Sequence, residues 1–236
     1  MEVIEAIYHR RAVRSYTEAH VAQFTIEEIM DAAVQAPSSL NQQPWAFAVF
    51  QGKERLADYS RRAKEHFLLT QLPPLGLHER GDTLTDPNYN IFYNANTILV
   101  VLAPPRGHNS VEDCCLAAEN VMLAAHGLGL GTCPIGIARA WLNLPEVKEE
   151  LGLPPDYNAV FTVTLGYPAA QPPQTHRRAP AIVSWKKYQD PLHSSDNFDP
   201  HPLGLSAHCS MRLGASQRSD VFASNAGFVH CEPNPF

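Results

Sequence analysis

The run Ile98-Leu99-Val100-Val101-Leu102-Ala103 (ILVVLA, residues 98–103) contains no polar side chain. Its length and residue types suit a strand buried on both faces, and it falls far short of the roughly 20 apolar residues of a membrane span. Working outward, Trp45–Phe50 (WAFAVF) and Ala159–Leu165 (AVFTVTL) have the same character. Helical patterns lie around them. Glu2–His9 places Val3, Ile4 and Ile7 on one face, and Thr25–Ala33 reads as a helix capped by Thr25 with Glu28 three residues on. In Val111–His126, the residues Val111, Cys115, Ala118, Met122 and Ala125 recur at three- and four-residue spacing, and Gly127 and Gly129 supply a stop. That pattern predicts a core helix. Helices and strands alternate, but the connections are long and irregular, so an α+β sandwich fits at least as well as a repeating parallel βαβ wind. No internal repeat is visible.

The composition narrows the function classes. With 236 residues, 44% of them hydrophobic and 18% charged, the chain has the material for a folded core. Lys plus Arg is 18 against 24 for Asp plus Glu, a net charge of −6, so no overall positive field is available for nucleic acid or an anionic membrane surface. Glu2 and Glu5 precede any apolar run, which does not read as a signal peptide, and a cytoplasmic location is expected. The five cysteines show no CxxC spacing, so reduced thiols are expected rather than a disulfide framework or zinc ribbon. Cys114 and Cys115 read as small buried hydrophobes within the core helix. From Asp190 the chain turns rich in Ser, Pro and His and lacks Lys, Ile, Tyr and Trp. This predicts a folded domain over 1–189 and a polar extension over 190–236 that is disordered or wraps a partner. Its His201, His208-Cys209 and His230-Cys231 offer no short-range pair at metal spacing, and no metal site is expected. The stretch His66–Asn90, with Pro73, Pro74, Gly76, Gly81 and Pro87, reads as one long connection, either a lid or a passive excursion.

Three short segments carry candidate chemistry. In RRAVRSY, residues 10–16, three guanidiniums fall within five residues. In an extended chain Arg10 and Arg14 share one side, so they fit a common anionic ligand; a solvated charged turn is the alternative. In APSSLNQQPW, residues 36–45, Ser38, Ser39, Asn41 and Gln42 mix donors with acceptors, as reading the edge of a heteroaromatic ring requires, although such residues also build ordinary turns. In GLGLGTCPIG, residues 127–136, glycines permit close backbone approach, and Pro134 to Gly136 offer backbone N–H groups to a ligand; a tight turn is the alternative. The spacing is not the GxGxxG of a dinucleotide fold.

In this order the three segments resemble the FMN-dependent nitroreductase family, whose members carry an RRSVRxF-like element, then APSxxNxQPW, then a GLGxxxxxG turn after the central helix. His176-Arg177-Arg178-Ala179-Pro180 matches the place where the family supplies a further basic residue to the FMN phosphate. The resemblance spans residues 2–188. It implies an α+β, nitroreductase-like fold of helices around a mainly antiparallel sheet, with FMN at the interface of a homodimer. Carried across, Arg10, Arg11 and Arg178, with His176 beside the last, hold the phosphate and ribityl end, and Ala12 stands where the family usually has Ser. Arg14 lies by N1 and C2=O of the ring, where a fixed cation favours reduction. Pro37, Ser38, Ser39 and Asn41 come from the partner chain, and Pro134, Ile135 and Gly136 follow the N5 and C4=O edge. Asn94-Ala95-Asn96 replaces the family's commoner Gly-Ala-Pro ahead of the strand.

The resemblance further implies an NAD(P)H oxidoreductase that reduces nitroaromatics, quinones or similar small-molecule acceptors by ping-pong hydride transfer through flavin N5. No protein acid, base or nucleophile is required, and His66–Asn90, with Phe92 and Tyr93 after it, is expected to cover the flavin face and decide the substrate. A reductive dehalogenase, a flavin-cleaving enzyme that makes a cobalamin base, and a flavin-binding protein without turnover share the same motifs and stay open.

Overall fold

The computed structural model describes residues 2–70, 81–105 and 109–186. Its centre is the expected apolar run. Strand β2, Thr97–Ala103, is buried along its whole length and sits inside a four-stranded sheet. With β1 (Ala46–Gln51), β3 (Gly131–Pro134) and β4 (Asn158–Gly166), the order is β1-β2-β4-β3 and every pairing is antiparallel. The α+β expectation holds, and the long connections are those of an antiparallel sheet visited out of order.

Alternation along β2 divides the interior into two cores. Ile98, Val100 and Leu102 join Leu56, Tyr59, Phe92 and Trp141 on one face. Leu99, Val101 and Ala103 join Ile26, Ile29, Val121 and Met122 on the other. The first face is covered by α3 (Lys53–Thr70), α4 (Gly81–Thr85), α6 (Arg139–Leu142) and α7 (Pro145–Leu151). The second is covered by α2 (Gln23–Ala33) and α5 (Ser110–Gly127). Helix α1, Val3–His9, packs on α5 but buries only Ala6, leaving Val3, Ile4, Ile7 and Tyr8 exposed.

Four local readings change. Helix α2 starts at Gln23 with Ala22 as its N-cap, and Thr25 donates its backbone N–H to the Ala22 carbonyl, so Thr25 is in the first turn and caps nothing. The buried stripe of α5 is Cys114, Ala117, Ala118, Val121, Met122 and Ala125, whereas Val111 and Cys115 are exposed. The helix is rotated relative to the expected stripe because its contact with α2 and the sheet selects Cys114 over Cys115. The glycine-rich segment is more than a turn. Gly129, at φ +78°, ends α5, with the Leu130 N–H reaching back to the Ala125 carbonyl at 2.8 Å, and the chain then enters β3. Finally, α3 runs on to Thr70, and Leu84 in α4 is buried in the first core, so the ends of the expected 66–90 loop are structured. Pro73, Pro74 and Gly76 lie outside the described residues.

Residues up to Arg178 form one compact unit, and a second begins at Ala179. Of the second, residues 179–186 are described; they have no regular secondary structure and expose Ile182, Val183 and Trp185. The whole 190–236 extension lies outside the described residues. No described helix is long and apolar enough to cross a membrane.

Candidate functional site

After α1 the chain runs extended beside the sheet edge. The Val13 N–H donates to the Thr132 carbonyl, Thr17 to Tyr167, and Ala169 to Ser15, each at 2.9 Å. Ala12 thereby bridges Thr132 in parallel, and Tyr16 bridges Pro168 antiparallel. Two glycines make this docking possible. A Cβ on Gly131 would lie 2.5 Å from Val13 Cγ2, and one on Gly166 would lie 2.9 Å from the Tyr16 ring. The Tyr16 hydroxyl latches the strip, donating to the Val13 carbonyl at 2.8 Å and meeting Thr164 Oγ1 at 2.7 Å. Burial holds this phenol well above its usual pKa, so it stays a neutral hydrogen-bonding group.

The three arginines then separate. Arg11 folds back onto the end of α1, donating to the carbonyls of Tyr8 at 2.7 Å and Arg10 at 2.8 Å. Arg10 pairs with Glu119 of α5 at 3.6 Å. The Arg14 guanidinium sits 5.8 Å from the centre of the Tyr93 ring, and a hydrogen bond that it donates to the Tyr93 side chain raises its pKa. Burial raises the pKa of the Cys133 thiol, outweighing the opposing fields of Arg14 and Arg10. A lone thiol of this kind is packing material rather than a reactive centre.

Beside Arg10 and Arg11 lies a cavity of about 210 Å³, lined also by His9, His126, Thr132 and Gln171. Two buried nitrogens in this wall, Arg11 Nε and His126 Nε2, have no hydrogen-bond partner among the described residues. Burial, and then the field of Arg10, lowers the His126 pKa. The donor set and its orphaned nitrogens suit a multiply charged oxyanion such as a phosphate monoester.

The second segment is built differently. Ser38 precedes a 3-10 turn, Ser39–Asn41, in which Leu40 and Asn41 have φ of +51° and +53°, and Gln43 follows at +48°. Three non-glycine residues in left-handed conformation within four positions cost of the order of 1–3 kcal/mol each and persist only where surroundings enforce them. The enforcement is visible. The Ser39 N–H donates to both oxygens of Asp113 at 3.2 Å, Ser38 Oγ accepts the Gln43 N–H at 3.0 Å, and Asn41 Oδ1 accepts from Gln43 Nε2 at 3.0 Å. Asp113 is buried in the first turn of α5, where the helix dipole favours its charge. Among the described residues no hydrogen bond or ion pair joins this loop to Arg10–Tyr16. It rests at Asp113, whereas the cationic cavity lies at His126, roughly 20 Å further along α5.

In the third segment Pro134 and Gly136 are exposed and Ile135 is buried. Proline has no N–H, and the Ile135 N–H is committed to the Thr162 carbonyl at 2.8 Å, so Gly136 is the residue left to offer one. His176 and Arg178 are exposed on irregular chain and make no hydrogen bond or ion pair among the described residues. The sheet brings Pro168, Gln171 and Pro172, just before them, to the arginine cavity. Glu119, His126 and Gln171 were not legible as site residues, since each reaches the arginines only through tertiary packing; of Phe92 and Tyr93, expected over the site, Phe92 is buried in the first core and Tyr93 stands beside Arg14. Among the described residues, no group of three or more His, Cys, Asp or Glu could hold a metal ion.

A family model described as the Nitroreductase family matches residues 7–167. A nitrobenzene nitroreductase from Ectopseudomonas oleovorans is 30% identical over 197 residues, covering 69% of this chain and 85% of that protein. An FMN reductase (NAD(P)H) from Bacillus subtilis is 29% identical over 208 residues, covering 85% and 78%. A solved nitroreductase with bound FMN from Bacteroides fragilis aligns with a TM-score of 0.68 at 27% identity, over 79% of this chain and all of that one. The matched span takes in the arginine strip, the strained loop and all four strands, and on that ground the chain belongs to the nitroreductase family.

Proposed function

We propose that the protein is an FMN-dependent NAD(P)H oxidoreductase that reduces nitroaromatic, quinone or similar small-molecule acceptors in a ping-pong cycle, and that it works as a homodimer. The observation that carries this reading is the cavity at Arg10, Arg11 and His126, with its two orphaned buried nitrogens, in a chain of net charge −6. Bound FMN supplies hydride acceptance and donation at ring N5.

The chain's part is binding, orientation and tuning. Arg10 and Arg11, with the backbone at Ala12 and with His176 and Arg178 approaching from the far end of the domain, hold the phosphate. Arg14 fixes a positive charge at the N1 and C2=O edge, which stabilises electron density arriving there. Pro134, Ile135 and Gly136 run along the N5 and C4=O edge, where the exposed Gly136 offers its N–H. Pro37, Ser38, Ser39 and Asn41 line the ring of the partner's site. The roughly 20 Å between the loop at Asp113 and the cavity at His126 supports a division of labour between two copies. So do the exposed apolar side chains of α1 (Val3, Ile4, Ile7, Tyr8) and α5 (Val111, Leu116), which a second copy would cover. Residues 1–189 serve as the FMN-binding domain, and 190–236 as an extension to it.

The test is steady-state oxidation of NADH and NADPH by the FMN-loaded protein with menadione or a nitrofuran. Acceptor-dependent oxidation is expected. Flavin that is reduced in a single turnover while none of the acceptors speeds NAD(P)H oxidation refutes the enzyme reading in favour of a non-catalytic flavin protein.

A further inference from the structure

Among the described residues Arg10 pairs with Glu119 and Arg11 donates to backbone carbonyls, whereas Arg14 has neither a carboxylate nor a carbonyl partner of that kind. It is framed by aromatic rings instead. The Tyr93 ring lies 5.8 Å from its guanidinium carbon. Tyr89 meets Tyr93 edge-on, with ring centres 6.2 Å apart and planes at 81°, and donates its hydroxyl to that of Tyr93 at 3.3 Å. Both rings are held from behind. Tyr93 and Asn94 sit at φ +55° and +57°, a turn closed by Tyr93 N–H to Asn90 O at 2.9 Å and Ala95 N–H to Phe92 O at 3.0 Å. Tyr89 is anchored by Lys64, 6% exposed, whose ammonium donates to the carbonyls of Asp86 at 2.7 Å and Tyr89 at 3.0 Å. The choice of partner has a physical consequence. A carboxylate would orient the guanidinium but cancel its field, whereas a phenol ring orients it and leaves the positive charge intact.

We propose that Tyr93 is a positioning residue: it holds Arg14, uncompensated, at the N1 and C2=O edge of FMN, and so raises the reduction potential of the bound flavin through Arg14. This rests on the reading of Arg14 given under Proposed function. The experiment equilibrates the FMN-loaded protein with a reference dye of known potential and reads the reduced-to-oxidised flavin ratio spectroscopically. Tyr93→Leu lowers that ratio roughly three- to thirtyfold, the span of a cation–π contact between exposed and desolvated settings. Tyr93→Phe, which keeps the ring face, loses less. In an Arg14→Met background Tyr93→Leu produces no further change, an outcome a purely structural role for the ring would not give.

An unchanged ratio in Tyr93→Leu, or an equal loss with and without Arg14, overturns the proposal. Should Tyr93→Leu fail to fold, Tyr89→Phe, which removes one hydroxyl from the frame, must lower the ratio in the same direction only when Arg14 is present; no change there overturns it equally. A wild-type chain that takes up no FMN overturns the reading of the site and this proposal with it, whereas flavin-loaded variants with an unaltered ratio overturn the proposal alone.

Discussion

Arg10–Tyr16 lies in a bed of sheet-like hydrogen bonds to Thr132 and residues 167–169, with each arginine turned to a different partner. Ser38–Gln43 has none of that support; it holds three left-handed residues in place with one carboxylate and its own side chains, and carries Leu40 89% exposed at its tip. The first is finished within one chain. The second is tied to a single carboxylate with its tip exposed, and on the proposed reading it completes the site of a second copy. The difference teaches that rigidity is reached here by two routes, and each can be broken separately.

The largest effect is expected where the strip is bedded. Gly131→Val drives new methyl groups into Val13 and costs about 3 kcal/mol, a fall in Tm of roughly 6–12 °C, together with loss of FMN. Calorimetry and flavin absorbance read both. Next is the loop's anchor. Asp113→Ala leaves the Ser39 N–H without its acceptor and costs about 2 kcal/mol, with weaker dimerisation by sedimentation as the companion signal. Arg178→Ala leaves the stability within about 0.5 kcal/mol of wild type, because the residue is exposed, but weakens FMN binding about tenfold by titration of the apoprotein. Equal FMN affinity in that variant removes Arg178 from the site.

The smallest effect is a pH dependence. Burial, then Arg10, His9 and Arg11, lower the His126 pKa, against a weaker opposing effect of Glu5. The folded state therefore prefers the neutral imidazole. Its contribution is present above the ordinary His value near 6.5 and is lost as pH falls through the depressed one. His126→Gln should flatten the acid limb of stability below about pH 6.5, measured by urea titration, and an unchanged limb contradicts the assignment.

Legibility followed the range of the forces. ILVVLA declared itself because a strand buried on both faces needs no polar position, and the arginine strip did because its three cations are neighbours in sequence. The phase of α5 was ambiguous because the pair Cys114 and Cys115, with Ala117 and Ala118 three residues on, satisfies helical spacing in both registers; only packing against α2 decides. Helix α3 was obscured by its charges: Lys64 and Ser60 are buried in it, Lys64 caught by loop carbonyls and Ser60 accepting the Ile91 N–H at 2.9 Å. Strand β3, Gly-Thr-Cys-Pro, has little strand character and exists because Val13 needs Gly131 bare and because Thr164 Oγ1 accepts the Cys133 N–H at 3.1 Å. His126 and Glu119 reach the arginines from distant sequence, and no local pattern announces such meetings.

The most direct test of the central claim, that Arg10, Arg11 and Arg14 embrace a flavin, is the visible spectrum of the purified, desalted protein followed by acid release of its chromophore. The account predicts a yellow protein that releases FMN at about one per chain. A colourless protein that also takes up no added FMN would contradict it, and would return the arginine strip to a charged surface beside an unfilled cavity.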